Sequence, residues 1–329
     1  MEHIEFRGLK QPASRVALGT WEIGGWMCGG SDEKDGIRTI HAALDSGINV
    51  IDTAPVYGFG RSEEIVGKAL EGGRRANAII ATKVGLEWRD GEVLRNSSPE
   101  RLRAELEDSL LRLQTDVIDL YQVHWPDESV PIEETAATLA GFQREGKIRA
   151  IGVSNFTPAQ MDRFRTAASL STVQPPYNLF ERDIERDILP YAQANHLTVL
   201  AYGALCRGLL TGKITEKTTY EGDDLRKSDP KFNPPRLAQY LNAVRQLDEF
   251  AKERYGKSVL ALALRWVLDA GQTIALWGAR KPEQLAPVND VFGWSLDNEA
   301  KRTIERILAE TIKDSIGPEF MAPPKKTAA

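Results

Sequence analysis

The fold class this sequence predicts is a closed (β/α)8 barrel of the TIM type. Two observations carry that reading: short apolar runs alternate along the chain with segments of helical periodicity, and the glycine fingerprint of the competing open sheet is missing. The runs lie at 16–20 (VALGT), 48–52, 78–83, 117–124, 150–155, 171–174, 197–202 and 273–278. Most are apolar at every position rather than at alternate ones, which fits strands buried on both faces of a parallel sheet. Between them, Thr157-Pro158-Ala159-Gln160 reads as a capping box with proline at the first helical position. Ser98-Pro99 opens another helix, with Leu102, Leu106, Leu110 and Leu113 on one face, and Ile37, Ile40 and Leu44 mark an earlier one. An open doubly wound sheet binding a dinucleotide would carry G-x-G-x-x-G after its first strand. Here Gly58-Phe59-Gly60 runs on to Glu63 where the third glycine belongs. The barrel is therefore preferred.

Three additions break the repeat. Residues 4–12 precede the first run and are expected to form a hairpin closing the bottom of the barrel. About 70 residues separate the seventh and eighth runs, against roughly 30 for an ordinary repeat. Of these, 203–236 read as a long loop of the kind that serves as a lid or binding loop, and 237–255 as a helix. A C-terminal helix is expected over 297–312 and a loose tail over 317–329. No linker divides the chain, so 1–329 is expected to be one domain.

Composition narrows the function. The chain has 42% hydrophobic and 27% charged residues, a globular mixture, and a net charge of −5, which argues against a nucleic-acid binder or an anionic-membrane partner. No stretch approaches the roughly 18 apolar residues of a membrane helix. MEHIEFRGLK has charges where a signal peptide needs apolar residues, so a cytoplasmic protein is expected, a monomer or small homo-oligomer. Cys28 and Cys206 are read as reduced. The histidines, His3, His41, His124 and His196, show no metal-ligand spacing, so no metal is expected.

In such a barrel the chemistry sits where the strands end. The second run closes on Asp52, with Tyr57 five residues later; the third closes on Lys83 and the fourth on His124. Together these groups suit carbonyl reduction. Hydride attack leaves an alkoxide that needs a proton, and a tyrosine beside a lysine cation can supply it at a lowered pKa. Asp52 would hold the cation, and His124 would hydrogen-bond the carbonyl oxygen. Taken singly, each residue has a plainer reading as a cap, a packed ring or a solvated charge; their joint arrival on neighbouring strand ends favours chemistry.

The stretches Gly19-Thr20-Trp21, Asp52-Thr53-Ala54-Pro55-Val56-Tyr57-Gly58, Thr82-Lys83, Val123-His124-Trp125-Pro126-Asp127 and Gly146 through Phe156 resemble the motifs of aldo-keto reductases, in the expected order over about residues 4–312. The resemblance implies a barrel that reversibly reduces aldehydes or ketones with NADPH or NADH, using Asp52, Tyr57, Lys83 and His124. Ser154, Asn155 and Gln174 end the fifth and sixth runs and offer the donors and acceptors that a nicotinamide carboxamide needs. By the same resemblance, Tyr202 would stack on the nicotinamide. Gly203, Leu205, Arg207, Gly208, Leu210 and Lys213 lie on a loop similar to the one that closes over the pyrophosphate.

Gly278, Ala279, Arg280 and Gln284 resemble the adenosine-phosphate end, with Arg280 suited to a 2′-phosphate, which favours NADPH. The chain departs from the family with Gly203-Ala204 for Ser-Pro, Trp277 for proline, and Pro287 and Val288 for Glu and Asn; NADH therefore stays open. Trp21, Trp26, Trp88 and Trp125 would line an apolar pocket with Tyr57 and His124. The wording around Lys83–Trp88 and Trp277 resembles a bacterial branch acting on glyceraldehyde, short aldehydes and polyols. Two other classes compete: a cofactor-binding regulatory barrel like the β-subunits of potassium channels, and a lyase forming a Schiff base on Lys83.

Overall fold

The structure is a computed structural model that describes residues 1–9, 11–89 and 91–324. Eight parallel strands close into a barrel: β1 (Val16–Gly19), β2 (Val50–Asp52), β3 (Ile79–Val84), β4 (Ile118–Val123), β5 (Ile148–Ser154), β6 (Thr172–Gln174), β7 (Thr198–Ala201) and β8 (Thr273–Gly278). The last pairs with the first, Gly278 standing opposite Gly19. Around the barrel lie α1 (Glu33–Asp45), α2 (Arg61–Ala69), α3 (Pro99–Leu113), α4 (Ile132–Arg144), α5 (Pro158–Arg165) and α6 (Ile188–Ala194). After β7 come α7 (Arg236–Tyr255) and α8 (Val259–Leu268), and after β8 comes α9 (Asn298–Thr311). The capping box at Thr157 forms in both directions, the Thr157 amide donating to Gln160 Oε1 at 2.9 Å and the Gln160 amide to Thr157 Oγ1 at 3.3 Å.

Successive strand side chains point to opposite faces, and that period sorts the sequence into two cores. Leu18, Ile51, Ile80, Tyr121 and Ile151 point outward into the layer shared with the helices. Ala17, Val50, Ala81, Leu120, Ala150 and Leu200 point inward and pack on one another. Two residues further along the same inward faces stand Asp52, Lys83, Gln122 and Gly152. The barrel interior thus turns from apolar to polar toward the carboxyl ends of its strands, and that turn positions the site.

The amino-terminal hairpin pairs His3–Ile4 with Ala13–Ser14, slightly wider than the expected 4–12. It carries Phe6 into the interior cluster at 3% exposure and so closes the barrel bottom.

Other elements differ from expectation. A hairpin of Leu86–Arg89 with Glu92–Arg95 follows β3; its strands are short and half polar, and no long apolar run marks them. The expected loop over 203–236 contains short 3-10 turns at Cys206–Thr211, Leu225–Lys227 and Pro230–Phe232, and Pro282–Val291 is also 3-10. The tail expected to be loose from 317 is tied down within the described residues. Lys231 Nζ donates to Gly317 O at 3.2 Å, Arg207 sits 5.7 Å from the Phe320 ring centre, and Arg95 donates to Pro323 O at 3.0 Å. The cause is burial of the cations Arg95 and Lys231, whose remaining donors meet tail carbonyl oxygens, and of Arg207, whose guanidinium meets the face of a tail ring. Residues 325–329 of that tail lie outside the described residues. No described helix is long and apolar enough to cross a membrane.

Phe6→Ala empties a closed plug far from the strand ends. It should lower unfolding free energy by about 3–5 kcal/mol, read by denaturant titration, with turnover at 25 °C retained; an unchanged midpoint would show that the plug adds no stability.

Candidate active site

The segment between β2 and α2 is folded so tightly that Tyr57 has one place to be. Its amide donates to Ala54 O at 3.1 Å, and Ser62 N donates to Tyr57 O at 3.1 Å. Thr53 Oγ1 donates to Ser62 Oγ at 2.9 Å, which donates to Thr20 O at 3.0 Å. Gly58 has φ of 67°, a left-handed value suited to glycine. Gly24 lies against the turn so closely that a methyl group there would stand 2.6 Å from the Tyr57 carbonyl carbon. Two missing side chains thus let the loops after β1 and β2 dock and fix the phenol.

Lys83 is 1% exposed. Its ammonium donates to Asp52 Oδ2 at 2.7 Å, to Thr53 O at 3.0 Å and to the Tyr57 hydroxyl at 3.1 Å. An ammonium has three donors, so all of them are used. Asp52 Oδ1 accepts from Gln174 Nε2 at 2.9 Å and from Gln122 Nε2 at 3.3 Å. His124 meets the Tyr57 ring edge-on, with centres 5.9 Å apart. The structure therefore brings together Asp52, Tyr57, Lys83 and His124, the residues that the strand ends nominate.

The electrostatics differ in one respect from expectation. Burial pushes the Tyr57 hydroxyl up by more than Lys83 pulls it down, so its net shift is upward from the usual tyrosine range. Burial alone would depress Lys83, but Asp52 and Tyr57 together hold the ammonium above its usual range. His124 is held well below the usual imidazole range, first by burial and then by Lys83. At neutral pH the site thus presents a protonated phenol, a cation and a neutral imidazole.

Beside it, the ends of β5 to β7 form a polar rim. Ser154 Oγ donates to Gln174 O at 2.8 Å and accepts from Asn155 Nδ2 at 3.0 Å. Tyr202 OH donates to Asn155 Oδ1 at 3.0 Å, which holds its ring over the rim. The buried indole N–H of Trp21 has no hydrogen-bond partner. These amides, hydroxyls and flanking rings fit a flat, polar heterocycle such as a nicotinamide.

Other expected contacts are placed differently. Arg207, expected on the pyrophosphate, is buried against Asp229 (2.5 Å) and Glu181, because its neighbours place two carboxylates beneath the loop. Leu205 and Leu210 are core residues, and Gly203 and Gly208 have left-handed φ in the same turn. Lys213 is exposed. Arg280 Nη1 donates to Cys28 O at 2.9 Å and to Gly30 O at 3.4 Å, tying it to the loop after β1. Gln284 Oε1 accepts from the amides of Arg280 and Lys281 (2.9 and 3.0 Å), so its oxygen caps the turn after β8 and only its amide nitrogen remains for a ligand. Ala279, next to Gly278, is buried.

At the mouth, Trp21 stacks with Tyr57 at 6.1 Å. Trp26 and Trp88 meet through Phe59, at 5.0 and 5.5 Å from its ring centre. Trp125 packs in the same apolar cluster and carries Arg95 over its face at 5.0 Å. Sequence reasoning missed two of these participants, Phe59 and Gln122. The signal for Gln122 was present: a lone amide in the apolar run VIDLYQVH, two residues before His124 and so on the same strand face. Among the described residues, no cluster of three His, Cys, Asp or Glu could hold a metal ion.

The sequence profile of the aldo/keto reductase family matches residues 15–309. The chain belongs to that family. The reductase is 59% identical over 328 residues to the aldo-keto reductase YhdN of Bacillus subtilis, covering 99% of each chain. It is 36% identical over 317 residues to the NADH-specific methylglyoxal reductase of Escherichia coli, covering 91% of this chain and 96% of the relative. Among solved structures it resembles the glycerol dehydrogenase AKR11B4 of Gluconobacter oxydans, with a TM-score of 0.88 and 57% identity, covering 97% of this chain and 99% of the other. It also resembles an aldo/keto reductase of Klebsiella pneumoniae solved with NADP and acetate, with a TM-score of 0.73 and 26% identity, covering 95% and 97%.

As a member of this family the reductase is an NAD(P)H-dependent oxidoreductase of carbonyl groups. The regulatory barrel resembling a channel subunit is not favoured, since these relatives carry names of reductases and a dehydrogenase. Nor does the geometry suit a Schiff-base lyase, because Lys83 is held as an ion-paired ammonium rather than a free amine.

Proposed function

We propose that Tyr57 is the proton donor in reduction of short aldehydes to alcohols and the proton acceptor in the reverse direction. The observation that carries this reading is the trio of hydrogen bonds from Lys83. Because the Tyr57 oxygen accepts from Lys83, its own proton is left to donate outward. The cation also stabilises the phenolate left behind, and Asp52 keeps the cation in place. His124, neutral and edge-on to the phenol, supplies a second hydrogen bond to the substrate oxygen and orients it. A bound nicotinamide supplies the hydride at the carbonyl carbon.

Ser154, Asn155 and Gln174 would hold the carboxamide, with Tyr202 against the ring. Leu205, Gly208, Leu210 and Lys213 would line the pyrophosphate side, and Arg207 would hold that loop rather than touch phosphate. Arg280 keeps its Nε and Nη2 edge for a 2′-phosphate, which supports NADPH; the NADP-bound Klebsiella relative supports the same choice, while the NADH-specific Escherichia relative speaks for NADH. The aromatic mouth and the likeness to a glycerol dehydrogenase support glyceraldehyde and related short aldehydes and polyols as substrates. A cytoplasmic location fits the two free thiols, Cys28 and Cys206.

Tyr57→Phe should lower kcat for DL-glyceraldehyde by about 10²–10⁴-fold, the usual worth of a general acid, with NADPH affinity little changed. Near wild-type turnover in this variant would sink the proton-donor assignment.

The raised Tyr57 and depressed His124 fix the sign of the pH dependence. Reduction needs the phenol protonated, so its rate should stay flat through neutral pH and fall only above about pH 10, while alcohol oxidation rises over the same interval. A steady-state profile with reduction already falling between pH 7 and 8 would contradict this.

Arg280→Ala should weaken NADPH roughly tenfold or more beyond its effect on NADH, the worth of a hydrogen bond to a charged group. Equal weakening, measured by fluorescence titration, would show that Arg280 does not read the 2′-phosphate.

A further inference from the structure

We propose that Gln122 is a positioning residue that fixes the proton-donating group and the cofactor-orienting amide through one carboxylate. The proposal rests on the roles given above to Asp52, Lys83 and Tyr57, and it adds a residue that touches neither substrate nor cofactor. Gln122 lies on β4 and is fully buried. Its Nε2 donates to Asp52 Oδ1 at 3.3 Å, and its Oε1 accepts from Gln174 Nε2 at 3.4 Å. Gln174 donates the same nitrogen to Asp52 Oδ1 at 2.9 Å. Gln122, Gln174 and Asp52 thus form a triangle near the barrel axis, with one side chain each from β4, β6 and β2.

The triangle has two outputs. Through Asp52 Oδ2 it reaches Lys83, and through Lys83 the Tyr57 hydroxyl. Through Gln174 it fixes an amide: with the nitrogen held by Asp52 and Gln122, the carbonyl oxygen must face the opposite way. A free amide could turn over and offer a donor in place of an acceptor; this one cannot without losing two hydrogen bonds. Gln122 therefore sets the donor geometry and the carboxamide-binding polarity together.

The interior is also shaped to admit this side chain. A methyl group on Gly152 of β5 would stand 2.8 Å from Gln122 Cγ and would collide with Thr172 Oγ1. Gly152 has no left-handed φ, so the glycine serves space rather than backbone conformation. Gln122 fills the volume that the glycine leaves.

The charged and titratable groups facing Tyr57 are Lys83, Asp52, His124, Tyr202 after β7 and, from the turn after β1, Glu22. Gln122 changes none of their charges. It acts by dispersing the negative charge of Asp52, and Asp52 opposes ionisation of Tyr57. Removing the amide leaves Asp52 more negative in effect, so Tyr57 should ionise at higher pH.

The test compares Gln122→Met, which keeps the volume and loses the amide, and Gln122→Glu, which keeps the shape and adds charge, with wild type and Tyr57→Phe. Thermal melting, steady-state kinetics across pH and NADPH titration by protein fluorescence are recorded on the full chain. For Gln122→Met, kcat should fall about tenfold with little change in KM for the aldehyde. The alkaline limb of reduction should move to higher pH, and NADPH affinity should weaken several-fold. Gln122→Glu should move that limb further in the same direction.

A folded variant with an unmoved alkaline limb and unchanged NADPH affinity would overturn the proposal, whatever its residual kcat. Failure of both variants to fold would overturn it too, since Gln122 would then be a packing residue. If Tyr57→Phe keeps turnover, the underlying reading of the site fails instead, and the two failures are distinguishable.

Discussion

A buried ammonium must find partners or surrender its proton, and the arrangement at the carboxyl end of this barrel answers that demand for Lys83. Its donors are satisfied by a carboxylate, a backbone carbonyl and a phenol, each from the β2 strand or the turn that follows it. Satisfying the cation therefore fixes the turn, and fixing the turn fixes the phenol. The carboxylate in its turn needs donors at its other oxygen, and two glutamines from across the interior provide them. The chain of requirements runs inward from a single charge, and each residue answers the one before it.

The same interior shows how a barrel can be both a core and a reaction vessel. At the hairpin-closed end its inward faces are apolar and packed. At the other end the same faces carry Asp52, Lys83 and Gln122, while Gly152 withholds a side chain. No change of backbone is needed, only a change of residue type two positions along each strand. The apolar floor supplies stability that does not depend on the polar layer, which leaves that layer to be chosen for chemistry.

Much of this was legible in the sequence. Apolar runs marked the strands, because burial on both faces leaves a continuous signature, and polar residues closing those runs marked Asp52, Lys83 and His124. What was not legible depends on distant parts of the chain. Gln174 was expected only at a cofactor, yet its nitrogen bonds Asp52, because no sequence spacing shows that β6 faces β2 across the interior. Arg207 reads as a cofactor contact on a loop closing over the pyrophosphate, and nothing local shows that Glu181 and Asp229 converge beneath it. Phe59 takes a left-handed φ between two glycines, and only the packed loops place its ring between Trp26 and Trp88. The hairpin over 86–95 escaped notice because its short strands carry no long apolar run.

The buried charges under the loop after β7 anchor its root. Arg207, Glu181, Asp229 and Lys231 are linked among themselves, and Lys231 reaches the tail at Gly317. Ion pairs shielded from water are scarcely screened by dissolved salt, unlike a surface pair such as Arg254 with Asp297. The root of the loop is therefore an anchor that salt weakens far less than surface pairs, while most side chains from Lys213 to Gly222 are exposed and only Ile214 and Tyr220 pack back on the core. A rise in ionic strength should therefore weaken pairs at the surface well before it touches this buried root.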